Sequence, residues 1–391
     1  MIDYDKVIVN AAKEMKPSGI RKFFDIAQKL EGVISLGVGE PDFQTPWKIR
    51  QTAIKTLEKG KTTYTGNRGL SELLEEISEY FEDTIGIEYD AEKEIIVTVG
   101  GSEAIDISIR AMVEPGDEVL IVEPSFVCYA PMVSLAGGVP VPIATKVENK
   151  FRLTAEELKE KITDKTKLLI LPFPNNPTGA VMRKKDLDAI ADVLKDTNIV
   201  VLSDEIYSEL TYGEKHCSIA QCEGMKERTI VINGFSKSFA MTGWRLGFLA
   251  GPKEIVQHIF KIHQYAIMCS PTTSQYAAIA GLKYCRSDVK KMVDEYNMRR
   301  RFVVDGFNKL GLECFSPEGA FYVFPSIKST GLSSKDFCEQ LVYSKKVAVV
   351  PGDAFGESGE GFIRVSYAYS VNHLKEALKR IGEFLDEFHN K

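Results

Sequence analysis

Residues 199–207, I-V-V-L-S-D-E-I-Y, and residues 229–245, T-I-V-I-N-G-F-S-K-S-F-A-M-T-G-W-R, decide how this chain is read. Each carries near its start a short apolar run, I-V-V-L and I-V-I, that stops at a polar turn. A strand that is apolar at every position has no face to offer water. Such strands belong to parallel sheets covered by helices on both sides. Working outward, the same signature recurs at 95–99 (I-I-V-T-V), 119–122 (V-L-I-V) and 168–172 (L-L-I-L-P). Residues 139–143 and 246–250 are two further strands. Apolar residues spaced by three and four mark helices at 102–112 and 184–196. Thr154 and Glu157 have the spacing of a capping box.

The expected fold is α/β, with a mostly parallel central sheet in a large domain over residues 45–285. Residues 286–391 read differently: a charged helix at 287–309, short strands at 321–324, 347–350 and 362–367, and helices at 333–345 and 371–389. That is a smaller α+β domain. Residues 1–44 are expected to form an N-terminal arm and a segment of the small domain.

The chain is 391 residues long, enough for such a pair of domains. With 44% hydrophobic and 27% charged residues, wholesale disorder is excluded. A net charge of −6 argues against a general nucleic-acid binder. No apolar run approaches the ~18 residues of a membrane span. The seven cysteines form no C-x-x-C pair, and the opening M-I-D-Y-D-K is charged. A reduced, cytoplasmic protein is expected.

Several familiar motifs fail. Gly37 and Gly39 begin a G-x-G-x-x-G pattern, but position 42 is Asp. Gly60-Lys61-Thr62 ends like a phosphate loop, but Lys55 stands where its first glycine is needed. H-E-x-x-H and G-x-S-x-G are absent, and His258 and His263 are five apart. No metal site is expected. His216 reads as a surface residue.

In open α/β sheets, ligands gather at the carboxyl ends of the strands. After 95–99 comes Gly100-Gly101-Ser102-Glu103, a glycine turn into a helix N-terminus. It suits a phosphate, or is an ordinary turn with Ser102 as cap. After 168–172 comes P-F-P-N-N-P-T-G, with Asn175 and Asn176 at its tip. After 199–202 comes Asp204, read as a carboxylate partner for a protonated ring nitrogen or as half of a salt bridge or cap. After 229–233 comes Lys237, the sole charged residue between Arg228 and Arg245. It is an amine of depressed pKa or a snorkelling lysine. Arg245 serves a phosphate or a structural carboxylate. Together these groups at one sheet edge suit pyridoxal 5′-phosphate, an aromatic aldehyde carrying a phosphate.

At this point the chain resembles the class I/II, fold-type I aminotransferases, in their aspartate, aromatic and acetyl-diaminopimelate subgroup. The likeness runs from G-V-G-E-P-D-F through Y-T-G-N-R-G-L, G-G-S-E-A, N-N-P-T-G, S-D-E-I-Y and S-K-S-F-A-M-T-G-W-R-L-G to G-A-F-Y-V-F-P and F-I-R-V-S-Y-A. The resemblance implies that Lys237 is the Schiff-base lysine and Asp204 the partner of the pyridine nitrogen. It implies that Tyr207 and Asn176 bond the ring oxygen. Gly101, Ser102 and Glu103, with Ser236 and Arg245, would hold the phosphate, and Phe126 would stack on the ring. Many dicarboxylate-specific relatives have Trp at that position, so the substrate class stays open. Tyr64 matches a residue that reaches the phosphate of a neighbouring subunit, which implies a homodimer with shared sites. Arg364, with the backbone near Gly39, matches the grip on the substrate carboxylate. For a distal carboxylate the candidates are Arg68, which reads otherwise as a solvated surface arginine, and an arginine of the partner chain.

The implied activity is amino transfer between an L-amino acid and a 2-oxo acid. Two alternatives stand beside it: a carbon–sulfur β-lyase of the same fold, and a non-catalytic regulator that binds the same cofactor.

Overall fold

The computed structural model describes residues 2–17, 19, 20, 23 and 29–389; for 388 and 389 it describes the backbone alone. The expected N-terminal arm is therefore described only in part, since residues 1, 18, 21, 22 and 24–28 lie outside this set. Twelve strands form among the described residues. They are β1 (Ile34–Ser35), β2 (Ile95–Thr98), β3 (Glu118–Glu123), β4 (Val139–Ala144), β5 (Thr166–Leu171) and β6 (Val200–Asp204), followed by β7 (Thr229–Gly234), β8 (Gly247–Ala250), β9 (Tyr322–Val323), β10 (Val347–Ala348), β11 (Val350–Pro351) and β12 (Ile363–Ser366).

Seven of them make one sheet in the order β2-β8-β7-β6-β5-β3-β4. The pairs among β3, β4, β5, β6 and β7 are parallel, while β8 runs antiparallel to both neighbours, β7 and β2. The connection from β7 to β8 contains no α-helix to carry the chain back along the sheet, so β8 returns in the opposite direction. Side chains alternate between the two faces, and both faces are buried. On β5, Leu168 and Ile170 join one core with Ile105, Ile109, Val256 and Ile259. Leu169 and Leu171 join another with Leu187, Ile190 and Leu194. This double coverage is why the middle of each of these strands is apolar on both faces.

The helix at Ala155–Lys161 begins with the capping box read from Thr154 and Glu157, with both of its bonds formed. Beyond the long helix Arg286–Lys309, β11, β12 and β9 make a three-stranded antiparallel sheet. β1 pairs in parallel with β10, so the early chain joins the late one. Among the described residues, no helix is long and apolar enough to cross a membrane.

Three glycines let the strand ends close on one another. Gly234 and Gly247 are paired across β7 and β8. A Cβ on Gly247 would stand 2.7 Å from the Gly100 carbonyl carbon, and one on Gly234 would stand 2.9 Å from Gly247 Cα. Gly100 itself has φ +77°, which favours glycine. The turn into the helix Gly101–Met112 thus lies directly against the strand ends that precede Lys237 and follow Arg245.

Candidate active site

A cavity of about 340 Å³ opens at the carboxyl ends of the parallel strands. Gly39, Gly101, Ser102, Phe126, Asn176, Asp204, Tyr207, Ser236, Lys237, Arg245 and Arg364 all line it. Glu103 and Tyr64 do not. Glu103 sits in the first turn of the helix Gly101–Met112, but its carboxylate turns back to accept the Val99 N–H. Gly100, not Ser102, is the N-cap. Tyr64 is 80% exposed.

Lys237 Nζ donates to the Gly39 carbonyl at 2.6 Å. Burial pushes its pKa down to about 8, against the opposing pull of Glu40. Glu40 is tied to the same turn through a hydrogen bond from Thr242 Oγ1. At the end of β6 the Asp204 carboxylate is buried, which raises its pKa. The Tyr129 hydroxyl donates to its Oδ2 at 2.7 Å and the Ile206 N–H to its Oδ1 at 3.2 Å, and both oppose that rise. The Tyr207 and Tyr322 hydroxyls are 2.8 Å apart.

The two tip asparagines divide their work. Asn175 builds its own turn, bonding the Pro124 and Pro172 carbonyls and accepting from Thr178. Asn176 faces the cavity and accepts from Arg364 Nη1 at 3.0 Å. Arg364 also donates to the Gly37 carbonyl, and its guanidinium lies 4.7 Å from the Tyr322 ring centroid and 4.9 Å from that of Phe355. It is 2% exposed, and its Nε has no partner. No carboxylate of a described residue pairs with it.

The fit to a phosphorylated ring follows from these observations. Arg245 is exposed on the cavity rim and has no carboxylate partner among the described residues. A Cβ on Gly100 would stand 2.7 Å from its Nη2, so the guanidinium lies over the helix N-terminus. Free N–H groups of that first turn and an unpaired cation make an anion cradle. Phe126, Asp204 and Lys237 supply a flat apolar wall, an acid and an amine in the same cavity. The residues therefore fit pyridoxal 5′-phosphate. Among the described residues no cluster of metal ligands is found.

Several site residues escape sequence reasoning. Tyr129 and Tyr322 lie in apolar runs and carry no local signal. His216 corrects its expected surface position: its Nε2 lies 2.7 Å from Glu205 Oε2, and its side chain is only 11% exposed. Glu205, 2% exposed, also accepts from Ser203 and Ser218 at 2.9 and 2.6 Å. A buried carboxylate needs such partners, and the adjacent pair Asp204-Glu205 was the available clue. Arg68 is half-buried and does not line the cavity. It donates to the Ile95 carbonyl and lies 4.2 Å from the Phe260 ring centroid.

A doubly covered sheet with a lysine, a buried acid and an anion cradle at its carboxyl edge defines an enzyme that uses pyridoxal phosphate. The chain belongs to the class I and II aminotransferases, whose family model matches residues 31–381. It is 50% identical to the aspartate aminotransferase of Pyrococcus abyssi over 376 residues, 95% of this chain and 97% of that one. It is 49% identical to aromatic-amino-acid aminotransferase 2 of Thermococcus litoralis, again over 376 residues, with the same coverage. The crystal structure of an aromatic aminotransferase from Pyrococcus horikoshii OT3 superposes with a TM-score of 0.89 at 48% identity, covering 93% of this chain and 99% of that one. The chain is thus an aminotransferase with pyridoxal 5′-phosphate as cofactor.

Proposed function

We propose that the enzyme moves an amino group between an aromatic or aspartate-like L-amino acid and a 2-oxo acid such as 2-oxoglutarate, by a ping-pong sequence. The observation that carries this reading is Arg364, a buried guanidinium without a carboxylate on the wall of the cavity that holds Lys237. A buried cation left unpaired is costly. An α-carboxylate entering the cavity would pair with it in the bidentate geometry that a guanidinium favours, beside the Gly39 backbone.

When bound, the cofactor supplies an electron sink for the charge left as the substrate α-proton departs. Ser102, Ser236, Arg245 and the N–H groups of Gly101 and Glu103 would hold its phosphate. Phe126 would cover the ring face. Asn176 and Tyr207 would bond the ring oxygen, and Tyr322 would orient the Tyr207 hydroxyl. Asp204, steadied by Tyr129, would keep the ring nitrogen protonated. Lys237, with its pKa lowered towards neutrality, would accept the substrate α-proton at Nζ and later give it back from the same atom.

The three cations of the cavity, Lys237, Arg245 and Arg364, then all have partners. The remaining wall, Thr242 apart, is apolar, with Ile20 and Pro174 in it, and suits an aromatic side chain. An aspartate-like donor would draw its second cation from a neighbouring copy. A homodimer with shared sites is part of the proposal. Exposed Tyr64 supports it, as do exposed Trp47, Ile54, Leu57, Tyr265 and Tyr284. A cytoplasmic location is the last part, supported by seven free cysteines.

The test is a half-reaction. The holoenzyme receives single amino acids, without an acceptor, and its absorption is followed. Conversion to the aminated cofactor with tyrosine, phenylalanine or aspartate supports the reading, and the fastest donor names the substrate. Pyruvate released from cystathionine instead marks a lyase. No change with any donor leaves a binding protein.

A further inference from the structure

A buried histidine–carboxylate pair lies one turn behind the phosphate cradle. Glu103 is the third residue of the helix Gly101–Met112, and one of its carboxylate oxygens accepts the Val99 N–H. The other oxygen lies 2.7 Å from His263 Nδ1. His263 sits on the helix Lys253–Ala266 with no exposure at all. Its Nε2 donates to the Asn67 carbonyl at 2.9 Å.

The protons follow from the partners. A carbonyl only accepts, so Nε2 carries a hydrogen. Without a second proton, an Nδ1 lone pair would face a carboxylate lone pair across 2.7 Å. One proton therefore lies between Nδ1 and Oε1, and the pair is neutral as a unit whichever atom holds it.

Two consequences reach the cradle. A bare carboxylate in this first turn would repel a phosphate at the same helix N-terminus; the shared proton cancels that charge. The carboxylate also fixes the Val99 N–H, while Arg245 Nη2 donates to the Val99 carbonyl at 3.4 Å. The turn under the phosphate is thus held from both sides. We propose that His263 is a positioning residue for the cofactor phosphate, acting through Glu103. The proposal rests on the reading that this cradle takes the phosphate of pyridoxal phosphate.

The test compares wild type, His263→Leu, His263→Gln and the double variant Glu103→Gln/His263→Leu. Each holoenzyme is stripped of cofactor and titrated with pyridoxal 5′-phosphate and with unphosphorylated pyridoxal. His263→Leu is expected to weaken pyridoxal phosphate about tenfold or more while pyridoxal stays within about twofold. His263→Gln, which still donates to one of two acceptors, should fall between it and wild type. The double variant should recover part of the loss, because an amide carries no charge to repel the phosphate. Equal weakening of both compounds, or unchanged affinity for the phosphorylated one, overturns the proposal. If the leucine variant does not fold, the glutamine variant gives the same comparison. Wild type that binds both compounds equally overturns the cradle reading, and does so before any substitution is made.

Discussion

The Tyr129 hydroxyl donates to Asp204 Oδ2 at 2.7 Å, joining a side chain 75 positions away to the acid at the end of β6. Burial raises the Asp204 pKa and this bond lowers it. Tyr129→Phe should raise it further. Because the ionised acid is the useful form, the acid limb of the kcat/KM profile should move to higher pH by about one unit. An unmoved profile would mean that the Ile206 N–H suffices.

The same shift has a stability consequence. A carboxyl whose folded pKa is raised favours the fold at low pH, and that contribution is lost as pH rises through the folded value. The cofactor-free Asp204→Asn variant should therefore be more stable than wild type at pH 7, with the gap closing below the ordinary value of 3.8. Thermal unfolding across pH checks this. The holoenzyme of that variant should lose activity by orders of magnitude.

Lys237 carries the opposite sign. Its folded pKa is lowered from 10.5 to about 8, so its charge disfavours the fold below that value. Lys237→Met should stabilise the cofactor-free protein at pH 7. The gain should shrink between pH 8 and 10.5 as the wild-type amine loses its proton in the fold. Lys237→Ala should abolish turnover, and normal turnover in that variant would remove the lysine from the mechanism.

Arg364→Lys keeps a charge but loses the planar fork. KM for amino acids should rise about 100-fold while affinity for the cofactor is retained. A loss confined to the cofactor affinity would place Arg364 on the cofactor rather than on the substrate.

Removing His216 leaves the buried Glu205 carboxylate with two hydroxyl donors and an unfilled side. His216→Ala should destabilise the fold by about 3 kcal/mol in urea unfolding. A cost near zero would mean that Ser203 and Ser218 alone satisfy the carboxylate.

Asp204, Lys237 and the Gly100 turn are legible in the sequence because each lies at or just beyond the carboxyl end of an apolar strand, and Arg245 because it closes the same polar loop just ahead of the next. Strand character is a local property, and the carboxyl edge of such a sheet is where ligands collect. Asn176 is half legible: the tip of its turn is evident, but which of the two asparagines faces the cavity is not. Asn175 is consumed by the turn itself, a matter of backbone geometry.

The apolar strands and the helical spacing between them determine by themselves an α/β chain with its chemistry at the strand ends, because burial on both faces demands that pattern. Only the tertiary structure decides that Arg364 meets Asn176 across 188 positions, that Tyr129 holds Asp204, and that His263 reaches Glu103 across 160. It also sets the direction of β8. These contacts depend on which elements pack together. A tyrosine in an apolar helix or a histidine on a buried helix face looks the same in sequence whether or not an acid awaits it across the fold.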